Sequence, residues 1–158
     1  MSYALSPLPH ATISHSATLT VTGTTSEHLV KFNTNDDLLG ITHTTGTSKI
    51  YVPSDGDYMV AVSAMVDETN NTAANFDVWF KINGANVPNS TTRVGINNQN
   101  LIVVLAVTVV LDMTKGQYME VAYVGSTTNT RMLAVAAQAS PTRPAAPSII
   151  LAITKVSA

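Results

Sequence analysis

The sequence predicts an all-β fold, a two-sheet antiparallel jelly-roll sandwich, from its composition, its turn punctuation and its apolar period. Charged residues make up only 11% of the 158 residues, and Thr, Asn and Ser fill the places they leave. Thr suits a strand because its branched Cβ packs on a pleated surface, while Asn and Ser suit turns because their side chains bond nearby backbone. Turn clusters such as Ser54-Asp55-Gly56-Asp57, Asn83-Gly84, Lys115-Gly116 and Gly125-Ser126 separate short β-rich runs, as in a sandwich or barrel. No stretch keeps a 3.6-residue apolar repeat bounded by helix caps. Instead Tyr58, Val60 and Val62 alternate with Met59, Ala61 and Ser63, and Phe76, Val78, Phe80 and Ile82 alternate with Asp77, Trp79 and Lys81.

The chain is expected to open on an extended arm over residues 1–16. Pro7 and Pro9 keep its backbone extended, and Tyr3, Leu5 and Leu8 are apolar anchors for a neighbouring surface. One domain follows over 17–158, a length that supports one sizeable core and not two. Its expected strands are 17–21, 28–32, 49–52, 58–66, 76–82, 101–111, 118–124, 132–136 and 149–156.

Two of these strands break the alternation. Residues 101–107 and 149–153 are apolar at consecutive positions, so both faces of each must be hidden from water. A sandwich normally leaves the outer face of each sheet to solvent, and a chain of this length has no third layer to lay over it. The expected cover is another subunit, which makes the protein an obligate oligomer.

Catalytic chemistry finds little to work with. The chain has no cysteine, which excludes disulfides, thiolate zinc ligands and thiol nucleophiles. His10, His15, His28 and His43 read as strand-edge or loop residues, and no nucleophile elbow, His-Glu-x-x-His helix, phosphate loop or dinucleotide fingerprint occurs. No catalytic residue and no cofactor is assigned, and the protein is not expected to be an enzyme. His10 and His15 offer imidazoles that copies of the chain could share around a metal, but solvated side chains are the simpler reading. The segment Asp67-Glu68-Thr69-Asn70-Asn71 gathers oxygen donors, making Asp67, Glu68 and Asn70 weak calcium candidates. Their spacing matches no dedicated calcium loop, so they read as a solvated loop dispensable for folding, as does the pair Asp36-Asp37.

Partners are bounded in the same way. With a net charge of -2 and its basic residues scattered, the chain lacks the clustered positive charge that nucleic acid requires. The longest apolar run, 101–111, is interrupted by Thr108 and is shorter than the roughly 20 residues of a membrane helix. Residues 1–10 have no basic stretch followed by an apolar one, so no secretory signal is expected.

The order of landmarks resembles the trimeric jelly roll of the tumour necrosis factor and complement globular-head superfamily. Gly56-Asp57-Tyr58 opens a central strand; Lys81-Ile82-Asn83-Gly84 ends a later one; the long apolar strand 101–111 comes next, then Lys115-Gly116-Gln117-Tyr118, and 149–156 closes the chain. The resemblance implies a homotrimer with the last two apolar strands at its axis, its expected interface being Leu101, Val103, Leu105, Val107, Ile149, Leu151 and Ile153. Aromatic residues are only 6% of the chain and no collagen-like stalk is present, which argues against receptor-signalling and complement-type roles. The segment Arg143-Pro144-Ala145-Ala146-Pro147-Ser148-Ile149-Ile150 looks like the ending of many small bacteriophage virion proteins of this fold. That likeness implies a virion structural protein made in the host cytoplasm. The expected role is capsid decoration or cementing, with Tyr3, Leu5 and Leu8 touching the major capsid protein or another virion protein. The alternative is a receptor-binding or host-attachment knob of a fibre or tail.

Overall fold

The computed structural model describes residues 7–157, and among them every regular element is a strand. The first half of the chain supplies β1 (His10–His15), β2 (Leu19–Thr20), β3 (His28–Leu29), β4 (Thr34–Leu39), β5 (Thr42–His43), β6 (Ile50–Tyr51), β7 (Gly56–Glu68) and β8 (Ala74–Ile82). The second half supplies β9 (Ala85–Asn86), β10 (Thr92–Ile96), β11 (Val103–Met113), β12 (Tyr118–Gly125), β13 (Thr130–Met132), β14 (Gln138–Ala139), β15 (Thr142–Arg143) and β16 (Ile149–Lys155).

The strands form two antiparallel sheets and a small hairpin of β14 with β15. In the first sheet the order is β2-β13-β7-β16-β1-β4, and β11 lies beside β7 on the edge away from β16. In the second the order is β10-β8-β12-β6-β5, with β3 also on β12 and β9 also on β8. Tyr58, Val60, Val62 and Val66 of β7 meet Phe76, Val78 and Phe80 of β8 and Met119, Val121 and Tyr123 of β12 in one core. Tyr58, Val60, Val62, Phe76, Val78 and Phe80 are the inward members of the alternations seen in the sequence. Each large apolar side chain buried there contributes roughly 1.5–3 kcal/mol.

Gly56 shows why the Gly-Asp-Tyr turn needs its glycine. Its φ is 138°, and a Cβ there would fall 2.7 Å from Lys155 Cε and 2.8 Å from Ser157 Oγ. The start of the central strand and the end of the last one therefore pack backbone to side chain.

The expected arm is corrected by the structure. His10 to His15 is not a strap but a strand between β16 and β4, with Ala11 and Ile13 in the core. Of the arm anchors, Leu8 is exposed just before β1, and Tyr3 and Leu5 lie outside the described residues. Because β1 runs antiparallel to β16, the first strand begins where the last ends, and Lys155 N–H donates to Pro9 O at 2.9 Å. The connections 69–73, 97–102 and 126–129 lie at the opposite end of the sandwich.

Candidate functional site

Among the described residues, no element lies over the outer face of the first sheet around β16, β7 and β11. In β11 the inward residues Leu105, Leu111 and Met113 are buried, and Val103, Val107 and Val109 pack half-buried against the core. The outward residues Val104, Ala106, Thr108 and Val110 are exposed, Val104 and Val110 at 60% each. In β16 the inward Ile149, Leu151 and Ile153 are buried, while Ile150 is 40% exposed.

This corrects the expected interface. Leu105, Ile149, Leu151 and Ile153 fill their own subunit's core, and Val103 and Val107 pack half-buried against it, so none of them stands on the outward face. Leu101 is exposed but lies in the connection before β11 rather than on the sheet. A one-residue shift of parity exchanges the two faces of a strand, and in β11 and β16 the face available to a partner is the even-numbered one.

Strand register arranges that face in rows. Val104 lies beside Met65; Ala106, Ser63 and Ile150 form the next row; Thr108, Ala61 and Ala152 the next; and Val110, Met59 and Thr154 the last. None of these residues is charged. The small side chains at the centre leave a shallow depression of about 400 Å³ lined by Ala61, Ser63, Ala106, Thr108, Ile150 and Ala152, among others. Charges stand only at the ends of the rows. Asp57 pairs in register with Asp112 at one end, and at the other Arg131 Nε and Nη2 donate to the two oxygens of Asp67 at 2.7 and 2.9 Å.

The free edge of β11 adds to the case for a partner. Among the described residues β11 pairs only with β7, so its edge runs from Val103 to Leu111 without a charge before Asp112. Such an edge is a template for unwanted pairing unless something covers it. The opposite edge, β4, is guarded by the exposed Asp36 and Asp37 and by a bulge in its register with β1 between Thr12 and Ile13.

The calcium candidates do not converge. Asp67 and Glu68 belong to the end of β7 and are buried, which corrects their reading as a solvated loop. Both Asp67 oxygens are engaged by Arg131, whose guanidinium is held charged above its ordinary range by those hydrogen bonds. Glu68 Oε2 accepts the Thr72 N–H at 3.1 Å, its Oε1 is buried without a partner, and Asn70 is exposed. No group of three or more His, Asp or Glu side chains is placed to hold a metal among the described residues.

The histidines are separated and locally bonded. His10 Nε2 lies 3.2 Å from Asp37, and His15 Nδ1 bonds the Lys31 carbonyl at 2.8 Å from the far end of β1. His28 Nε2 accepts the Thr22 N–H at 3.1 Å. His43 sits between Asn35 Oδ1 at 2.5 Å and the Thr47 carbonyl at 3.0 Å.

The outward residues Met59, Ala61, Ser63, Val104, Ala106, Thr108, Val110, Ile150 and Ala152 carry this face, and the sequence held a signal for them. Within β11 and β16, Thr108, Asp112 and Thr154 are polar residues at even positions. The parity that tolerates them is the outward one.

No protein-family model and no curated protein matches this sequence. Among solved structures, the globular domain of zebrafish complement 1qA protein is similar with a TM-score of 0.55, over 95% of this chain and 98% of that one, at 10% sequence identity. At that identity the likeness is one of fold: the chain is an all-β jelly-roll sandwich similar to a complement globular head.

Proposed function

We propose that the chain is a non-catalytic virion structural subunit that assembles as a homotrimer and decorates a phage head, cementing neighbouring copies of the major capsid protein. The observation that carries the assembly is the neutral, largely apolar outer face of β16, β7 and β11 beside an unprotected edge. An apolar centre between charged ends has the anatomy of a protein interface, and a homo-oligomer covers it with nothing but copies of the same chain. The threefold order follows the resembled superfamily, and the virion setting follows the likeness of residues 143–150 and the Thr- and Asn-rich, cysteine-free composition.

A second reading, a host-attachment knob, is favoured by one observation. The connections 69–73, 97–102 and 126–129, gathered at the end away from the start of β1, contain no charged residue and consist mostly of Asn, Gln, Thr and Ser. Electron microscopy of the native particle separates the two readings. Decoration predicts density for this fold at symmetric positions across the shell, and an attachment role predicts it at a fibre or tail tip. Its absence from the particle would overturn both.

A further inference from the structure

The second sheet, on the side of the sandwich away from the proposed assembly face, presents the chain's one tryptophan. Trp79 stands on the outward face of β8 and is half-buried, whereas Phe32, Phe76, Phe80 and Tyr58 are fully buried. Its orientation is fixed, because the indole Nε1–H donates to Asn86 Oδ1 at 2.9 Å. Beside it, Arg93 Nε and Nη2 donate to the two oxygens of Asp77 at 2.7 and 2.8 Å, so this pair adds no net charge. Asp77, Trp79, Asn86, Val87, Thr91 and Val124 line a depression of about 300 Å³. Asn86 Nδ2 and Thr91 Oγ1 make no hydrogen bond among the described residues, which leaves an amide donor and a hydroxyl free beside the ring.

A fixed indole, free hydrogen-bonding groups and zero net charge define the kind of ligand that fits. The ring face carries negative quadrupolar charge and attracts the weakly positive C–H edge of a saturated ring. The amide and hydroxyl exchange hydrogen bonds with ring substituents, as the few placed polar groups of a small-molecule site do. A pyranose supplies both surfaces and brings no charge. We propose that Trp79, Asn86 and Thr91, backed by the Asp77–Arg93 pair, form a binding site for a neutral saccharide, with one pyranose unit stacked on the Trp79 indole. The site does not depend on the assembly face, and copies repeated on one particle would multiply a weak single-site affinity.

The single tryptophan is also the reporter. Labelled protein is applied to an array of neutral and anionic glycans. The unlabelled protein is then titrated with methyl glucoside, methyl galactoside, methyl mannoside and N-acetylglucosamine while Trp79 fluorescence is read. The expected results are array binding to a neutral glycan and a saturable fluorescence change with its terminal sugar. Half-saturation is expected in the millimolar range, as befits a ligand of about a dozen heavy atoms. Thr91→Val, which keeps the side-chain shape, is expected to weaken both at least fivefold with the circular dichroism and oligomeric mass unchanged. Trp79→Phe, which retains a smaller ring, is expected to weaken array binding. An array silent for neutral glycans, binding confined to anionic ones, or binding unaffected by both variants would overturn the site. Oligomeric mass measured on the same samples tests the assembly separately.

Discussion

Asp67 is the residue at which sequence and structure part most sharply. Its neighbours Glu68, Asn70 and Asn71 make the segment read as a wet polar loop, but Asp67 is only 6% exposed and is gripped through both oxygens by Arg131 from β13. The partner lies 64 positions away in sequence, so no local pattern announces it. Removing one member of a buried pair strands the other's charge. Arg131→Leu is therefore expected to destabilise the fold by about 2–3 kcal/mol in denaturant unfolding, and Asp67→Asn added to it to restore part of that loss. A neutral Arg131→Leu would return Asp67 to the dispensable loop. Tyr123 gives the matching pH test. It stacks on His28 and Phe76, and burial raises its phenol above the ordinary tyrosine range. A folded pKa above the unfolded one means that its stabilising contribution is complete below about pH 10 and is lost as pH rises through the folded value. Phenolate absorbance should show a component titrating later than free tyrosine that is missing in Tyr123→Phe. If the variant and the wild type titrate with the same late component, that assignment fails.

At the scale of elements, what was legible was set by how strongly burial separates the two faces of a strand. In β7 and β8 the inward residues are large and apolar and the outward ones include Ser63, Asp77 and Lys81, so the sequence alternates visibly and both strands are predicted almost to their ends. In β1 the inward residues are only Ala11 and Ile13 between His, Thr and Ser. β4 reads Thr-Asn-Asp-Asp-Leu-Leu with a bulge in its pairing. Neither carries a period to find, nor does the short β10, and none of the three is among the expected strands. In β11 and β16 the opposite difficulty holds. Both faces are largely apolar, so strand character is plain while parity is not, and the expected interface fell on the inward side. Adjacent substitutions in β11 test the corrected parity. Leu105→Asp places a charge in a fully buried site and is expected to prevent folding or cost several kcal/mol. Val104→Asp, on the 60% exposed side chain next to it, is expected to leave the circular dichroism of the subunit intact while dissociating the assembly. If Val104→Asp unfolded the subunit and Leu105→Asp did not, the two faces would be reversed.

For the molecule as a whole, the two sheets differ in what they leave uncovered. The first presents a neutral face of Val, Ala, Thr, Ile and Met beside a bare edge. The second carries the Asp77–Arg93 pair, Trp79 and the largely buried Lys81, which pairs with Glu27. A monomer would keep the first face in water, where contiguous apolar patches are rare on soluble proteins. Assembly across it leaves the second sheet and the far connections free for other partners. The sequence showed that something must be covered, through the consecutive apolar residues of 101–107 and 149–153, but only the strand register shows which atoms are left bare. Sedimentation velocity of the wild-type protein at micromolar concentration tests this most directly. A single species of three times the 16.7 kDa chain mass, reduced to the monomer by Val104→Asp, is the predicted result. A wild-type protein that sediments as a monomer at that concentration would contradict it.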